Sequence, residues 1–68
     1  MEFETIYVSN LTNEEQQHKL EQRLFTIDGV QKVCINQRSG QIDIEFETPA
    51  SLNNLEKEVY DLGFEIIN

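Results

Sequence analysis

The chain has 68 residues and one cysteine, Cys34. A length of this order predicts a single domain over 1–68 with one small core, without an internal disulfide or a zinc framework. A formal net charge of −8 argues against nucleic-acid binding, which needs Lys and Arg to displace counterions, and against docking on an anionic membrane. It leaves ordinary solubility, or a protein partner with a basic patch, as its meaning.

The amino terminus has neither a basic segment nor an apolar stretch of the signal-peptide kind, and no run approaches the ~18 apolar residues of a membrane span. A lone cysteine fits a reducing compartment, so a cytoplasmic protein is expected. Ile6-Tyr7-Val8 is a β-branched and aromatic run that predicts a first strand, with Ile6 and Val8 on one face. Thr12-Asn13-Glu14-Glu15 then has the form of a capping box, in which Thr12 accepts from the Glu15 N–H and the Glu15 carboxylate reaches back. Leu20, Leu24 and Ile27 recur at helical spacing, and Asp28-Gly29 closes that helix.

Val30, Val33 and Ile35 mark the next extended segment, and Gln37-Arg38-Ser39-Gly40 forms a hairpin connection. Gln41 to Glu47 alternates strictly, with Ile42, Ile44 and Phe46 facing a core and Asp43, Glu45 and Glu47 facing water. One sheet face is therefore solvated. Pro49 stops the strand, Ser51 caps a second helix, and Leu52, Leu55, Val59 and Leu62 form its stripe. Gly63 ends the helix, and Phe64-Glu65-Ile66-Ile67 predicts a final strand. The order β-α-β-β-α-β with one polar sheet face predicts an α+β, ferredoxin-like open-faced sandwich, with two helices on one face of a four-stranded sheet.

In this order and register the residues resemble the heavy-metal-associated domain of copper chaperones and of the amino-terminal regions of copper-transporting ATPases. Leu11-Thr12 is similar to the Met-Thr before that family's metal-binding C-x-x-C. Leu20-Glu21 with Leu24 resembles its first helix, and Gly29-Val30-Gln31-Lys32-Val33-Cys34-Ile35-Asn36 its Gly-Val-x-x-Val-x-Val-Asn. Ser51-Leu52, Leu55 and Gly63-Phe64 resemble its second helix and the turn after it. The likeness runs from Ile6 to Ile67.

Carried over by register, the family's two cysteines fall on Asn13 and Gln16. Soft Cu(I) selects thiolate and thioether ligands, and a helix amino terminus favours the thiolate. Neutral amides supply neither charge nor softness, so no tightly bound cofactor is expected, and Cu(I) or another soft metal is expected to bind weakly at most. Cys34 is a secondary candidate ligand, but alternation points it to the open face. His18 lies roughly 200° around the helix from Leu20, on the solvent side, and reads as a surface residue before it reads as a ligand. Glu14 and Glu15 read as helix-end electrostatics, since two adjacent carboxylates do not make a calcium or magnesium loop.

The resemblance implies a chaperone-like protein of a metal-handling system that works by docking, or by weak metal binding shared at an interface. Its docking surface would comprise Leu11, Thr12, Asn13, Gln16 and Phe64. The implied partner is a protein with a basic or thiol-bearing surface, such as a metal-transporting ATPase domain or a chaperone, the chain itself being a monomer or weak dimer. The alternative is a metal-independent interaction or oligomerisation module using Tyr7, Cys34 and the outward strand residues. No Ser/His/Asp set, Cys/His pair or Gly-rich phosphate loop is present, so no enzyme is expected.

Overall fold

The computed structural model describes residues 1–67. Its elements run in the order β1 (Glu2–Tyr7), α1 (Glu14–Phe25), β2 (Val30–Asn36), β3 (Gln41–Phe46) and α2 (Leu52–Asp61). β3 is the central strand, antiparallel to both neighbours, in the order β1-β3-β2. The alternation of Ile42, Ile44 and Phe46 explains that place. All three are fully buried, and the intervening Asp43 and Glu45 lie half-exposed on the opposite face.

The inward residues of the strands join Leu20 and Leu24 of α1 and Leu55 and Val59 of α2 in one cluster. Each of these four helix residues is fully buried. Complete burial of such a side chain contributes about 1.5–3 kcal/mol, so this two-helix seam against the sheet dominates the stability of the fold. Arg23 of α1 adds an ion pair to Glu58 of α2 at 3.0 Å, on the exposed side of the seam.

Three features differ from the sequence expectations. β1 begins at Glu2, four residues before the apolar run, because β3 continues alongside as far as Phe46 and pairs with every residue from Glu2 to Tyr7. In β2, Val30 and Val33 are three apart, which simple alternation would place on opposite faces. The pairing shifts there, with Val30 opposite Phe46 and Lys32 opposite Glu45, so Gln31 is the extra residue of a bulge. Val30, Val33 and Ile35 all then pack against the core.

The third difference corrects the fourth strand. The described residues form a three-stranded sheet, and Phe64 to Ile67 contribute one isolated antiparallel bridge, Val8 with Ile66. Two bonds support it: Ser9 N–H donates to the Glu65 carbonyl at 3.0 Å and Ile67 N–H to the Tyr7 carbonyl at 2.9 Å. Toward Ser9 the ladder stops because its next donor is diverted: the Glu65 N–H donates to Oδ1 of Asn10, also at 3.0 Å. Phe64, meanwhile, turns into the core as the residue after the helix-ending glycine.

Candidate functional site

The loop from Ser9 to Asn13 joins β1 to α1, and its geometry is set by two side chains. Asn13 is the N-cap, in extended conformation (φ −151°, ψ 167°), and its Oδ1 accepts from the Gln16 N–H at 2.8 Å. Gln16 returns the contact one residue further out. Its Oε1 accepts from the Thr12 N–H at 2.8 Å and from the Thr12 hydroxyl at 3.0 Å. The cap predicted at Thr12 with Glu15 therefore lies one residue later, on Asn13 with Gln16, and the return bond reaches Thr12, the residue before the cap. Asparagine caps at least as well as threonine, and glutamine serves the return role as glutamate does.

Asn13 and Gln16 are also the positions at which the resemblance places thiolates. Both side-chain oxygens are engaged, three N–H or O–H donors are satisfied, and the loop is closed on itself. Oxygen donors of neutral amides are hard and uncharged, and they do not fit a soft metal ion. Among the described residues, no group of three or more His, Cys, Asp or Glu side chains could hold a metal.

The other candidates are dispersed. Leu11 and Phe64 are each 7% exposed and belong to the core, so at this end of the molecule they contribute rims, while Thr12 and Asn13 are exposed and Gln16 is half-buried. His18 is exposed and its Nε2 lies 3.1 Å from the Gln22 amide nitrogen, one turn on, beside a shallow groove lined by Glu14, Glu15, Gln17 and Glu21. Cys34 is a free, exposed thiol. It stands opposite Asp43 on the open face of the sheet, in a shallow depression with Phe3, Lys32 and Glu45. The structure does not bring it to Asn13 or Gln16.

Asn10, which in the sequence only bounds the first strand, is also a site residue. Its Nδ2 donates to the Gly63 carbonyl at 3.0 Å while its Oδ1 accepts from Glu65 N–H. One amide, using its donor and its acceptor together, ties the loop to the turn that carries Phe64. The turn itself is fixed by the helix end. Gly63 N–H donates to the Tyr60 carbonyl at 2.9 Å and Phe64 N–H to the Val59 carbonyl at 3.3 Å, which is the Schellman pattern, with Phe64 and Val59 supplying its apolar contact.

The fold is that of a ferredoxin-like α+β domain, with its β1–α1 loop closed by hydrogen bonds. The solved structure of the CsoZ metallochaperone is 42% identical, with 98% of this chain and 97% of that one covered and a TM-score of 0.95. The CopZ metallochaperone shares the fold at 19% identity, over 97% of this chain and 100% of that one, with a TM-score of 0.93. A copper-binding domain from HMA7, a P-type ATPase, does so at 22% identity, over 100% and 96%, with a TM-score of 0.90. No family model matches the sequence, and neither does any curated protein. The chain belongs to the heavy-metal-associated, copper-chaperone-like family. It is a member without the C-x-x-C motif, Cys34 being its one cysteine.

Proposed function

We propose that this protein serves a metal-handling system through protein docking at the β1–α1 loop, and that it does not carry Cu(I) tightly as an isolated monomer. The observation that supports this reading is the closed Asn13–Gln16 pair. At the place where relatives would need two free thiolates, both side chains are spent on holding the loop. A loop braced in this way needs no metal to be ordered, so it can present Thr12 and Asn13 to a partner in a fixed geometry.

The exposed acids Glu14, Glu15 and Glu65 flank the loop and its clamped turn. They favour a partner with a basic rim, and a partner that brings its own cysteines would supply the soft ligands that this loop lacks. The partner proposed on these grounds is a metal-transporting ATPase domain or a thiol-bearing chaperone that carries such a rim.

A Cu(I) titration against a chromophoric chelator tests the proposal. The wild-type monomer is expected to leave the chelator loaded, and stoichiometric high-affinity uptake would overturn the reading. Asn13→Cys with Gln16→Cys is expected to create a tight site; failure of a folded double variant to bind would show that the register is wrong. A second reading, a metal-independent oligomerisation module, draws on the open face, where Phe3 is 62% and Tyr7 38% exposed. Sedimentation separates the two, since a dimer indifferent to metal and reductant would favour the second.

A further inference from the structure

The two outer edges of the sheet are finished differently. β2 has the ordinary protections of an edge strand: the bulge at Gln31, Lys32 within the strand, and α1 packed along it. The Gln17 amide even reaches the Ile35 carbonyl, at 3.5 Å. β1 has no bulge and no lysine, and its charged residues are the helix-side carboxylates Glu2 and Glu4, which repel a like-charged strand. Its pairing with β3 runs without a shift from Glu2 to Tyr7, and it contains no proline, lysine or arginine.

Which backbone groups of β1 face outward follows from alternation. Val8 N–H donates to the Gly40 carbonyl on the β3 side, whereas Tyr7 and Ser9 use their outward groups on Ile67 and Glu65. Even-numbered residues therefore point their backbone groups at β3, and Phe3 and Thr5 point theirs away from the sheet. Among the described residues, no backbone hydrogen bond reaches those outward groups. This edge continues in line with the Val8–Ile66 bridge, and beside Phe3 and Thr5 no strand pairs with it among the described residues. Phe3, 62% exposed, overhangs it on the open face, and Ile67, 54% exposed, borders its end.

We propose that the β1 edge is a docking site for an extended basic segment of another protein, added as an antiparallel strand beside Phe3 and Thr5. The charge pattern selects the occupant. Glu2 and Glu4 share the helix-side face of the strand, so residues opposite them should be Lys or Arg. Residues opposite Phe3 and Thr5 lie on the open face and should be β-branched or apolar. A second copy of the chain is a poor occupant. Antiparallel registers that set Phe3 against Phe3 or Thr5 of the other copy place Glu2 against Glu4 or Glu4 against Glu4. The register with Thr5 against Thr5 needs the Tyr7 carbonyl, which Ile67 N–H already holds, and each copy carries a formal −8.

The test uses a fluorescent synthetic peptide in which lysine alternates with valine, its counterpart with glutamate for lysine, and the full chain. The lysine peptide is expected to raise anisotropy saturably, to weaken with added salt, and to slow amide exchange at Phe3 and Thr5; the glutamate peptide should not bind. Phe3→Pro removes an outward N–H and leaves the β3 ladder intact, since proline is tolerated on that side of an edge strand. It should weaken binding by about tenfold or more, each tenfold being about 1.4 kcal/mol, with an unchanged circular-dichroism spectrum. Glu2→Lys with Glu4→Lys should reverse the preference between the two peptides. Binding unaffected by Phe3→Pro, protection at β2 in place of β1, or self-association through β1 without peptide would each overturn the proposal.

Discussion

The two helices of this domain begin and end differently. α2 starts with a single cap, the Ser51 hydroxyl accepting from Asn54 N–H at 3.3 Å. α1 starts with three bonds among Thr12, Asn13 and Gln16, none longer than 3.0 Å. After α2, Gly63 (φ +97°) faces open space; after α1, Gly29 (φ +105°) lies where an added Cβ would run into the Glu47 carbonyl and crowd Ala50. A simple cap suffices to start a helix, as α2 demonstrates. The additional bonds at α1 fix the loop ahead of the helix, which is the surface proposed above to meet a partner.

Substitutions placed in matching positions sharpen this contrast. The largest effect is expected at Gly29→Ala, which combines left-handed backbone strain with a collision against backbone, and about 3 kcal/mol of destabilisation should follow. In a chain of this size that leaves little folded protein, so the urea midpoint should fall close to zero. Gly63→Ala incurs only the backbone strain and should cost about 1 kcal/mol. Equal losses at the two glycines would show that packing around Gly29 is softer than its surroundings indicate.

Asn13→Ala is expected to destabilise by about 1–2 kcal/mol, and Ser51→Ala by about 0.5–1 kcal/mol, both within the range for lost caps. A double-mutant cycle between Asn13→Ala and Gln16→Ala should give a coupling of about 0.5 kcal/mol or more, because each side chain holds the other's segment in place. Zero coupling would mean that the two contacts act as separate caps and that the loop is not a locked unit. The smallest effect belongs to Arg23→Ala. Its ion pair with Glu58 is largely exposed, at 53% for the arginine side chain, and the loss should stay within about 0.5 kcal/mol and vanish at high salt.

Much of the fold was legible because the apolar periodicity is unambiguous where burial is complete. Ile42, Ile44 and Phe46 marked the central strand, and Leu20 and Leu24, with Leu55 and Val59, the two helix seams. What escaped was decided by partners. Glu2 to Thr5 hold no apolar alternation, and they are a strand because β3 offers them a ladder. The bulge at Gln31 is visible only once Phe46 and Glu45 are seen opposite Val30 and Lys32. The fourth strand was written from Phe64 to Ile67 on apolar content, whereas the Asn10 amide takes the Glu65 N–H and leaves a single bridge. At the loop, the residue types were enough to exclude a thiolate pair. Which residue caps the helix, and what Gln16 does with its carbonyl, depended on one residue of register that Thr12 and Asn13 contest on nearly equal terms.

The Asn10 amide joins, in one side chain, the strand exit, the helix-ending turn and the final bridge. Its two bonds tie the turn and the tail to the same loop. Loop and tail therefore form one cooperative opening unit. In native-state hydrogen exchange the amides of Gln16, Glu65 and Ile67 should open with a common free energy, below that of the amides in the buried β3 ladder. A reporter group placed on the tail would then register events at the loop, which makes Ile67 a vantage point for following a partner's arrival without touching the surface that receives it.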